Sequence, residues 1–257
     1  MRVLMVGDVV GRPGRHALAT ILPDLRKELA LDFAIVQGEN IAAGFGLTLD
    51  TVKELLAAGA DVVTTGNHVW DRNEFITHLN DRALPVIRPM NYPPSVPGRG
   101  FIDLGGLVVV NLIGRVFLGE FDSPFAVMEK FLKSHDAVGR PVLVDFHAEA
   151  TSEKQAMGYF LDGRVAALVG THTHVATADQ RILPKGTAYV TDLGMVGPMD
   201  SVIGMEVGDA LFRFLNNMPR HLRVAEGACR FNSVMIELDD QTGQAVAIER
   251  IDRETTH

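Results

Sequence analysis

Short apolar runs alternate with longer amphipathic stretches along the first third of the chain. Runs rich in valine and isoleucine predict buried strands at residues 2–6, 33–36 and 61–64. Between them, amphipathic stretches predict helices at residues 13–29 and 48–58. Strands that alternate with helices in this way are typical of βαβ units, so we predict a largely parallel sheet.

Two sequence signals predict where further helices begin. Asp71 is placed to cap a helix that runs to about residue 79, with Glu74 in the capping-box position. Ser152 and Gln155 form a second capping box in the later half of the chain.

The remaining apolar runs predict strands, some of them joined as hairpins. Gly105-Gly106 lies between two such runs, residues 101–104 and 107–112, and is a strong signal for a two-residue hairpin turn. The other predicted strands are residues 142–145, 167–169, 188–190, 233–238 and 245–251. Because strands resume on both sides of the proline-rich loop at residues 91–100, we predict one α/β domain over residues 1–257. It is expected to contain mixed β-sheets layered with flanking helices.

The composition is that of an ordinary globular protein without disulfides. Of the 257 residues, 47% are hydrophobic and 22% are charged. The single cysteine, Cys229, excludes an intramolecular disulfide and a thiolate metal cluster, and it favours a reducing, cytoplasmic location. No secretion signal and no apolar run of about 18–20 residues is found, so no membrane association is expected.

The formal net charge of −8 bears on the kind of partner. A negative long-range field opposes strong binding of nucleic-acid polymers. It still permits a small phosphorylated ligand at a locally positive site.

Polar side chains that can bind metals follow five predicted strands, at the point where each strand ends. The segments are Gly7-Asp8, Gly38-Glu39-Asn40, Gly66-Asn67-His68, Asp145-Phe146-His147 and Gly170-Thr171-His172-Thr173-His174. Because ligands in open α/β sheets lie outside the carboxyl ends of the strands, we expect these side chains to converge.

Each segment alone also has an ordinary structural explanation. A Gly-Asp pair is usually a turn, and an Asn-His pair is usually a turn with a surface histidine. His172 and His174 are the strongest fragment, since side chains at i and i+2 on an extended strand end face one side. Five such endings together favour a metal site over five turns. The histidines without this context are interpreted as surface or core residues: His16, His78, His135, His221 and His257.

The order and spacing of these segments between Asp8 and His174 resemble the calcineurin-like metallophosphoesterase superfamily. Two positions depart from its usual pattern. Val10 stands where the superfamily has the histidine of Asp-x-His, and Glu39, followed by Asn40, stands where it has the bridging aspartate. Those departures are similar to the bacterial YmdB-type branch, which is associated with phosphodiesterase activity on 2′,3′-cyclic nucleotides. That similarity covers nearly the whole chain.

The resemblance implies a site for two divalent metal ions per chain. Its ligands would be Asp8, Asn40 and His174 for the first ion, Asn67, His147 and His172 for the second, and Glu39 bridging both. Asn40 would fill the gap left by Val10. His68 would lie beside the metals as a proton donor.

The chemistry of this ligand set agrees with phosphodiester hydrolysis. Two divalent ions, two carboxylates and a bridging hydroxide leave a charge of about +1, which suits a phosphodiester anion. Paired metals also lower the pKa of the bridging water, which makes it a nucleophile at neutral pH. Oxygen and nitrogen ligands without thiolate suit manganese or iron first, with zinc or cobalt also compatible. The predicted substrate is a small phosphodiester, such as a 2′,3′-cyclic nucleotide.

Other hypotheses stay open at this point. An amidohydrolase also uses His-x-His, but on an early strand rather than after two carboxylate-bearing strand ends. A regulatory protein that binds metal with little turnover is compatible with the same ligands. Phe45 is predicted either to contact a base or to pack in its loop, and residues 192–204 either to form a lid or to be a plain connection. The apolar segment at residues 224–236 leads us to expect a homo-oligomer.

Overall fold

The computed structural model describes residues 1–134 and 136–255, so the histidines at 135 and 257 lie outside the described part. Within it, the strands in chain order are β1 (Arg2–Val6), β2 (Asp8–Val9), β3 (Phe33–Gln37), β4 (Val62–Thr64), β5 (Phe101–Asp103), β6 (Val108–Ile113), β7 (Val142–His147), β8 (Ala167–Thr171), β9 (Arg181–Ile182), β10 (Ala188–Val190), β11 (Met195–Pro198), β12 (Cys229–Phe231), β13 (Ser233–Leu238), β14 (Ala245–Arg250) and β15 (Arg253–Glu254). The helices are α1 (Gly11–Glu28), α2 (Leu49–Ala57), α3 (Asn73–Ile76), α4 (Pro124–Phe131), α5 (Thr151–Leu161) and α6 (Val207–Asn216), with 3₁₀ turns at Asn67–Trp70 and Thr77–Asn80.

Two large mixed sheets dominate the structure. The first has the strand order β14-β13-β1-β3-β4, and its strands β1, β3 and β4 are parallel. The second has the order β5-β6-β7-β8-β10-β9, with four parallel strands between two antiparallel edges. Helices α1, α2, α4 and α5 connect successive parallel strands, which need such crossovers. The predicted mixed sheets with flanking helices are confirmed.

The apolar runs reflect burial of both faces of the strands. In β1, Val3 and Met5 pack between the two sheets together with residues of the second sheet such as Leu143. The alternate residues Leu4 and Val6 pack instead against α1 and α2. Because side chains alternate across a strand, a strand covered on both sides is apolar throughout. A third apolar cluster fills the space between the second sheet and α4 and α5.

A small third sheet, with the order β15-β12-β11-β2, was not predicted. Its strand β11 lies within residues 192–204 and is buried, so this part of the segment belongs to a sheet. β11 pairs in parallel with β2 and thereby holds Asp8. Much of the apolar segment at residues 224–236 is likewise buried in β12 and β13. The segment is therefore largely core, and the homo-oligomer expected from it stays a prediction.

Both predicted capping boxes are wrong. Asp71 ends a 3₁₀ turn, Arg72 precedes α3, and the carboxylate of Asp71 lies 2.8 Å from Nδ1 of His68 instead of capping a helix. Ser152 lies inside α5, which begins two residues earlier than its capping role requires. No helix in the described part of the chain is long and apolar enough to cross a membrane.

Candidate metal centre

The predicted ligands come from strand ends in both large sheets. β1, β3 and β4 of the first sheet lead into the segments that carry the carboxylates and amides, and β7 and β8 of the second lead to the histidines. These ends meet along one edge, where the two sheets lie against each other.

Nε2 of His147 is the centre of one group of donor atoms. It lies 2.9 Å from Oε1 of Glu39, 3.0 Å from Oδ1 of Asn67 and 3.0 Å from Nδ1 of His172. Two imidazole nitrogens, a carboxylate and an amide oxygen thus converge on one point. Such a set of nitrogen and oxygen donors is suited to a divalent metal ion. Glu39, His147 and His172 are close enough for one ion to bind all three.

A second group lies beside the first. Nε2 of His174 is 3.7 Å from Oδ1 of Asp8, and the backbone N–H of His172 donates to the other oxygen of Asp8 at 3.2 Å. Oδ1 of Asp8 and Oδ1 of Asn40 are buried and have no hydrogen-bond partner among the described residues. Since buried polar atoms are nearly always paired, these two oxygens indicate that a bound cation belongs here. The residues present fit divalent metal ions.

Gly66 allows this close approach. A Cβ atom at residue 66 would lie 2.2 Å from Cδ2 of His147 and 2.5 Å from Oε2 of Glu39. Any larger residue would push into the donor groups, so the glycine before Asn67 is required by space.

The histidines reach the site through left-handed backbone rather than through an extended strand end. His172 has φ 102° and His174 has φ 63°, a conformation that costs side-chain-bearing residues about 1–3 kcal/mol each. The predicted extended geometry of this pair is therefore wrong, although both rings reach the cluster. The ring of His172 faces His147 and that of His174 faces Asp8.

A buried ion pair holds the 172–174 segment in this conformation. Nζ of Lys154 lies 2.6 Å from Oδ2 of Asp192 and donates to the carbonyl of Thr171 at 2.8 Å. The same Asp192 oxygen accepts the N–H of Thr173 at 3.1 Å. The Lys154 and Asp192 side chains are 0% and 1% exposed, so their attachment to the segment is shielded from water.

The second ring nitrogens of His172 and His174 also have partners. These contacts fix the orientation of the two rings toward the cluster. Nε2 of His172 lies 3.0 Å from Oε2 of Glu149, and Nδ1 of His174 lies 2.8 Å from the carbonyl of Ile203. Sequence reasoning missed both partners. Glu149 lies two residues after the predicted ligand His147, and this proximity in the sequence is a signal for a role near the site. The backbone carbonyl of Ile203 has no such signal in the sequence.

His147 is supported by a chain of hydroxyl and carboxyl groups. Its Nδ1 lies 3.0 Å from Oγ1 of Thr171, which donates to Oδ1 of Asp145 at 2.7 Å. Oγ1 of Thr64 donates to the other oxygen of Asp145. Burial raises the pKa of Asp145 to about 7.

In the metal-free cluster the carboxylates and imidazoles shift one another's pKa values. Burial alone would raise the pKa of Glu39, but the charge and hydrogen bond of His147 lower it to about 2. Burial would lower the pKa of His147, but Glu39 raises it to about 9. Burial, and next the charge of His147, lowers the pKa of His172 to about 3, so this ring is neutral and free to bind a metal. Burial raises the pKa of Asp8.

His68 lies next to the cluster. Its backbone N–H donates to Oε2 of Glu39 at 3.0 Å, and its Nδ1 lies 2.8 Å from Oδ2 of Asp71. The ring of Phe45 contacts the His68 ring edge-on at 5.0 Å. Phe45 therefore packs on a histidine of the site.

The other described histidines do not join the cluster. His16 and His221 are exposed. His78 is half-buried beside the ring of Phe75. Their interpretation as surface or core residues agrees with these positions.

Comparison with known proteins places the chain among proteins of similar length and fold. The sequence model of the YmdB-like protein family matches residues 4–251. The 2′,3′-cyclic-nucleotide 2′-phosphodiesterase of Bacillus subtilis (strain 168) is 46% identical over 255 residues, which is 98% of this chain and 96% of that protein.

Two solved structures share the fold. A hypothetical protein from Thermus thermophilus has a TM-score of 0.92 at 44% identity and covers 99% of both chains. A phosphatase from Mycoplasma pneumoniae has a TM-score of 0.92 at 33% identity, with 99% of this chain and 93% of that chain covered.

Proposed function

The chain belongs to the YmdB-like protein family, a branch of the calcineurin-like metallophosphoesterase superfamily, and we propose that it is a metal-dependent phosphodiesterase acting on 2′,3′-cyclic nucleotides such as 2′,3′-cAMP. The observation that carries this proposal is the convergence of donor atoms on Nε2 of His147, beside the unpaired buried oxygens of Asp8 and Asn40. Small phosphodiesters are the corresponding substrate class.

We assign two divalent ions to the site. The proposed ligands are Asp8, Asn40 and His174 for one ion, Asn67, His147 and His172 for the other, and Glu39 for both. When bound, the ions would lower the pKa of a water molecule and stabilise negative charge on the phosphoryl oxygens. Manganese or iron is the proposed occupant, and zinc or cobalt is also compatible with these ligands.

His68 is the proposed proton donor to the departing ribose oxygen. Asp71 orients the imidazole through Nδ1, and the edge of Phe45 limits how far the ring can turn. Nε2 of His68 has no hydrogen-bond partner among the described residues and remains available to a substrate. A positioned imidazole is the usual proton donor in such reactions.

The rest of the chain fits this proposal. β1, near the start of the chain, pairs with β13, near its end, which supports a single domain over residues 1–257. The net charge of −8 favours a small substrate over a nucleic-acid polymer. The single cysteine, Cys229, supports a reducing, cytoplasmic location.

The test is turnover of 2′,3′-cAMP by the metal-loaded protein, with metal content measured in the same sample. Glu39→Gln serves as the control that removes the bridging carboxylate. Turnover by the wild type that the control lacks would support the proposal. Full metal content without turnover of any phosphodiester would instead indicate a metal-binding regulatory protein. Turnover of amide substrates alone would indicate a different binuclear hydrolase.

The role of His68 is tested by a ratio of effects. We expect His68→Ala to keep both metals and to lose about 10²–10⁴-fold in turnover of the cyclic nucleotide, the usual contribution of general acid catalysis. The loss should be much smaller on a nitrophenyl phosphodiester, because nitrophenolate leaves without a proton. Equal losses on the two substrates would rule out proton donation, and a collapse of metal content would make His68 a ligand.

A further inference from the structure

The loop that follows β6 leaves the second sheet beside the candidate metal centre. We call its residues, 114–122, the β6 loop. The N–H of Gly114 donates to the carbonyl of His147, a proposed ligand, at 2.9 Å. A Cβ atom at Gly114 would lie 2.6 Å from Cβ of Ala148, the residue after that ligand. Because β6 and β7 are parallel neighbours, the β6 loop starts at the same edge of the sheet as His147.

One buried side chain fixes both ends of the β6 loop. Asn91 is fully buried, and its Oδ1 accepts the N–H of Ile113 at 2.9 Å. Its Nδ2 donates to the carbonyls of Ile113 and Asp122 at 2.8 and 3.0 Å. The N–H of Asp122 donates in turn to the carbonyl of Asn91 at 3.1 Å. The β6 loop is therefore a compact loop with its ends held together, a kind of surface loop that frequently carries function.

The tip of the β6 loop holds one aromatic side chain out in the solvent. Phe117 is 88% exposed and has φ 65°, a left-handed conformation that is rare for a bulky residue. The N–H groups of Leu118 and Gly119 both donate to the carbonyl of Arg115, at 3.3 and 3.4 Å, and close the turn that carries Phe117. Strained backbone of this kind clusters at sites that bind ligands, so an exposed ring held in this way indicates a ligand.

A row of aromatic rings connects the β6 loop with the turn that carries two site residues. Phe121 of the loop contacts Tyr92 at 5.0 Å between ring centres, and Tyr92 contacts Trp70 at 5.3 Å. The 3₁₀ turn Asn67–Trp70 carries a proposed ligand and the proposed proton donor. Burial, and to a lesser extent the charge of Glu39, raises the pKa of Tyr92 to about 12, so the row lies close to that carboxylate. The β6 loop thus flanks the metal centre on the side of the proton donor.

We propose that Phe117 stacks on the base of a cyclic nucleotide bound at the metal centre, an inference that rests on the phosphodiesterase function proposed above. His68 would give its proton to the departing ribose oxygen, so the ribose and its base lie on the side of His68, where the β6 loop is. Other rings on this side are already engaged, since Phe45 contacts His68, and Tyr92 and Phe121 contact each other. Phe117 is exposed and contacts no other ring in the described part of the chain, so its faces are open to a base.

The chemistry of stacking determines what this contact selects. Every base has a π-face, so one aromatic ring accepts any of them. The contact lies away from the reacting phosphate and is made alike by the bound substrate and the transition state. Interactions of that kind lower KM and leave kcat unchanged. We therefore expect Phe117 to favour nucleotides over cyclic phosphates that have no base, through KM alone.

Kinetics of the manganese-loaded protein on two substrates test the stacking contact. The substrates are 2′,3′-cAMP and ribose 2′,3′-cyclic phosphate, which has the same reacting group and no base. Phe117→Ala should raise KM for 2′,3′-cAMP about 10-fold, as the loss of one stacked base predicts, with kcat, manganese content and KM for the base-free substrate unchanged. Phe117→Trp should keep the low KM. Tyr159→Ala is the matched control and should change neither KM, because it removes a 56% exposed ring near the end of α5, whereas the metal centre lies near the start of that helix.

Calorimetric titration with adenosine 3′-monophosphate adds a readout that needs no turnover, and the wild type should bind it about 10-fold more tightly than Phe117→Ala. Wild-type turnover with the same KM in Phe117→Ala would overturn the base contact and leave the phosphodiesterase function standing. A rise in KM for both substrates would also overturn the contact, because the change would then act on the site rather than on the base. No turnover of either substrate, with binding that depends on Phe117, would overturn the function and keep the contact. No turnover with no binding, or with equal binding by Phe117→Ala, would overturn both.

Discussion

Replacing Lys154 by methionine should destabilise the protein strongly, although Lys154 touches none of the proposed metal ligands. Methionine keeps much of the volume and removes the charge. The change leaves the carboxylate of Asp192 buried without its cation, and it leaves the carbonyl of Thr171 without the Nζ donor. Breaking a buried ion pair on one side costs about 3–5 kcal/mol. We therefore expect the free energy of unfolding to fall by about 4 kcal/mol.

The assay is urea unfolding of the metal-free protein, which separates the ion pair from metal binding. Lys133→Met is the control, since Lys133 forms a surface pair with Glu129 at 2.7 Å and its side chain is 74% exposed. That change should cost less than about 1 kcal/mol. Lys154→Met combined with Asp192→Asn removes both buried charges and should be less destabilised than Lys154→Met alone.

Manganese titration of Lys154→Met gives a second result. Because Asp192 also accepts the N–H of Thr173, a displaced carboxylate should loosen His172 and His174 and weaken metal binding. A loss of stability below about 1 kcal/mol would refute the reasoning. So would a double variant that is as unstable as Lys154→Met, because the damage would then not come from an unpaired buried charge.

Three further predictions concern the candidate metal centre. Glu39→Gln should reduce manganese binding in titration calorimetry more than Asn40→Ala does, because Glu39 offers two anionic oxygens and Asn40 one neutral oxygen; equal or reversed losses would mean that the bridge is assigned wrongly. Gly66→Ala should lower metal content, since the added Cβ would lie 2.2 Å from Cδ2 of His147, whereas Gly208→Ala, with nothing within 4 Å, should leave it unchanged. In the metal-free protein the proton on His147 stabilises the fold below its unfolded pKa of 6.5, and this contribution is lost as the pH rises through about 9. Apparent manganese affinity should therefore increase up to about that pH, and calorimetry at pH 7 in buffers of different ionisation enthalpy should detect proton release; no dependence on the buffer would contradict it.

The strands and strand ends that were predicted correctly share one local signal in the sequence, an apolar run followed by a polar side chain. β1, β3 and the first three residues of β7 contain apolar runs because both faces of these strands are buried. The polar side chains that follow them stand out because an isolated carboxylate such as Asp8 or Glu39 directly after an apolar run does not fit a buried core.

The features that were missed depend on contacts between distant parts of the chain. Lys154 and Asp192 lie 38 residues apart, and neither carries a local sign that it will pair. β2 and β15 are two residues long and exist only because of their neighbours in the third sheet. Asp71 has the local sequence of a helix cap, but its carboxylate lies within hydrogen-bond distance of His68 in the folded chain.

The candidate metal centre also joins the two large sheets. Asp8, Glu39 and Asn67 follow strands of the first sheet, whereas His147 and His172 come from the second. Without metal, the sheets are held together here by the contact of Glu39 with His147, whose opposite pKa shifts show that each charge depends on the other. Any ion bound by donors from both sheets must stabilise the folded state over the unfolded chain, in which these donors are far apart. The left-handed backbone of His172 and His174 and the buried charge of Asp192 therefore destabilise the folded chain near the metal centre. Metal binding at this centre would offset that loss of folding free energy.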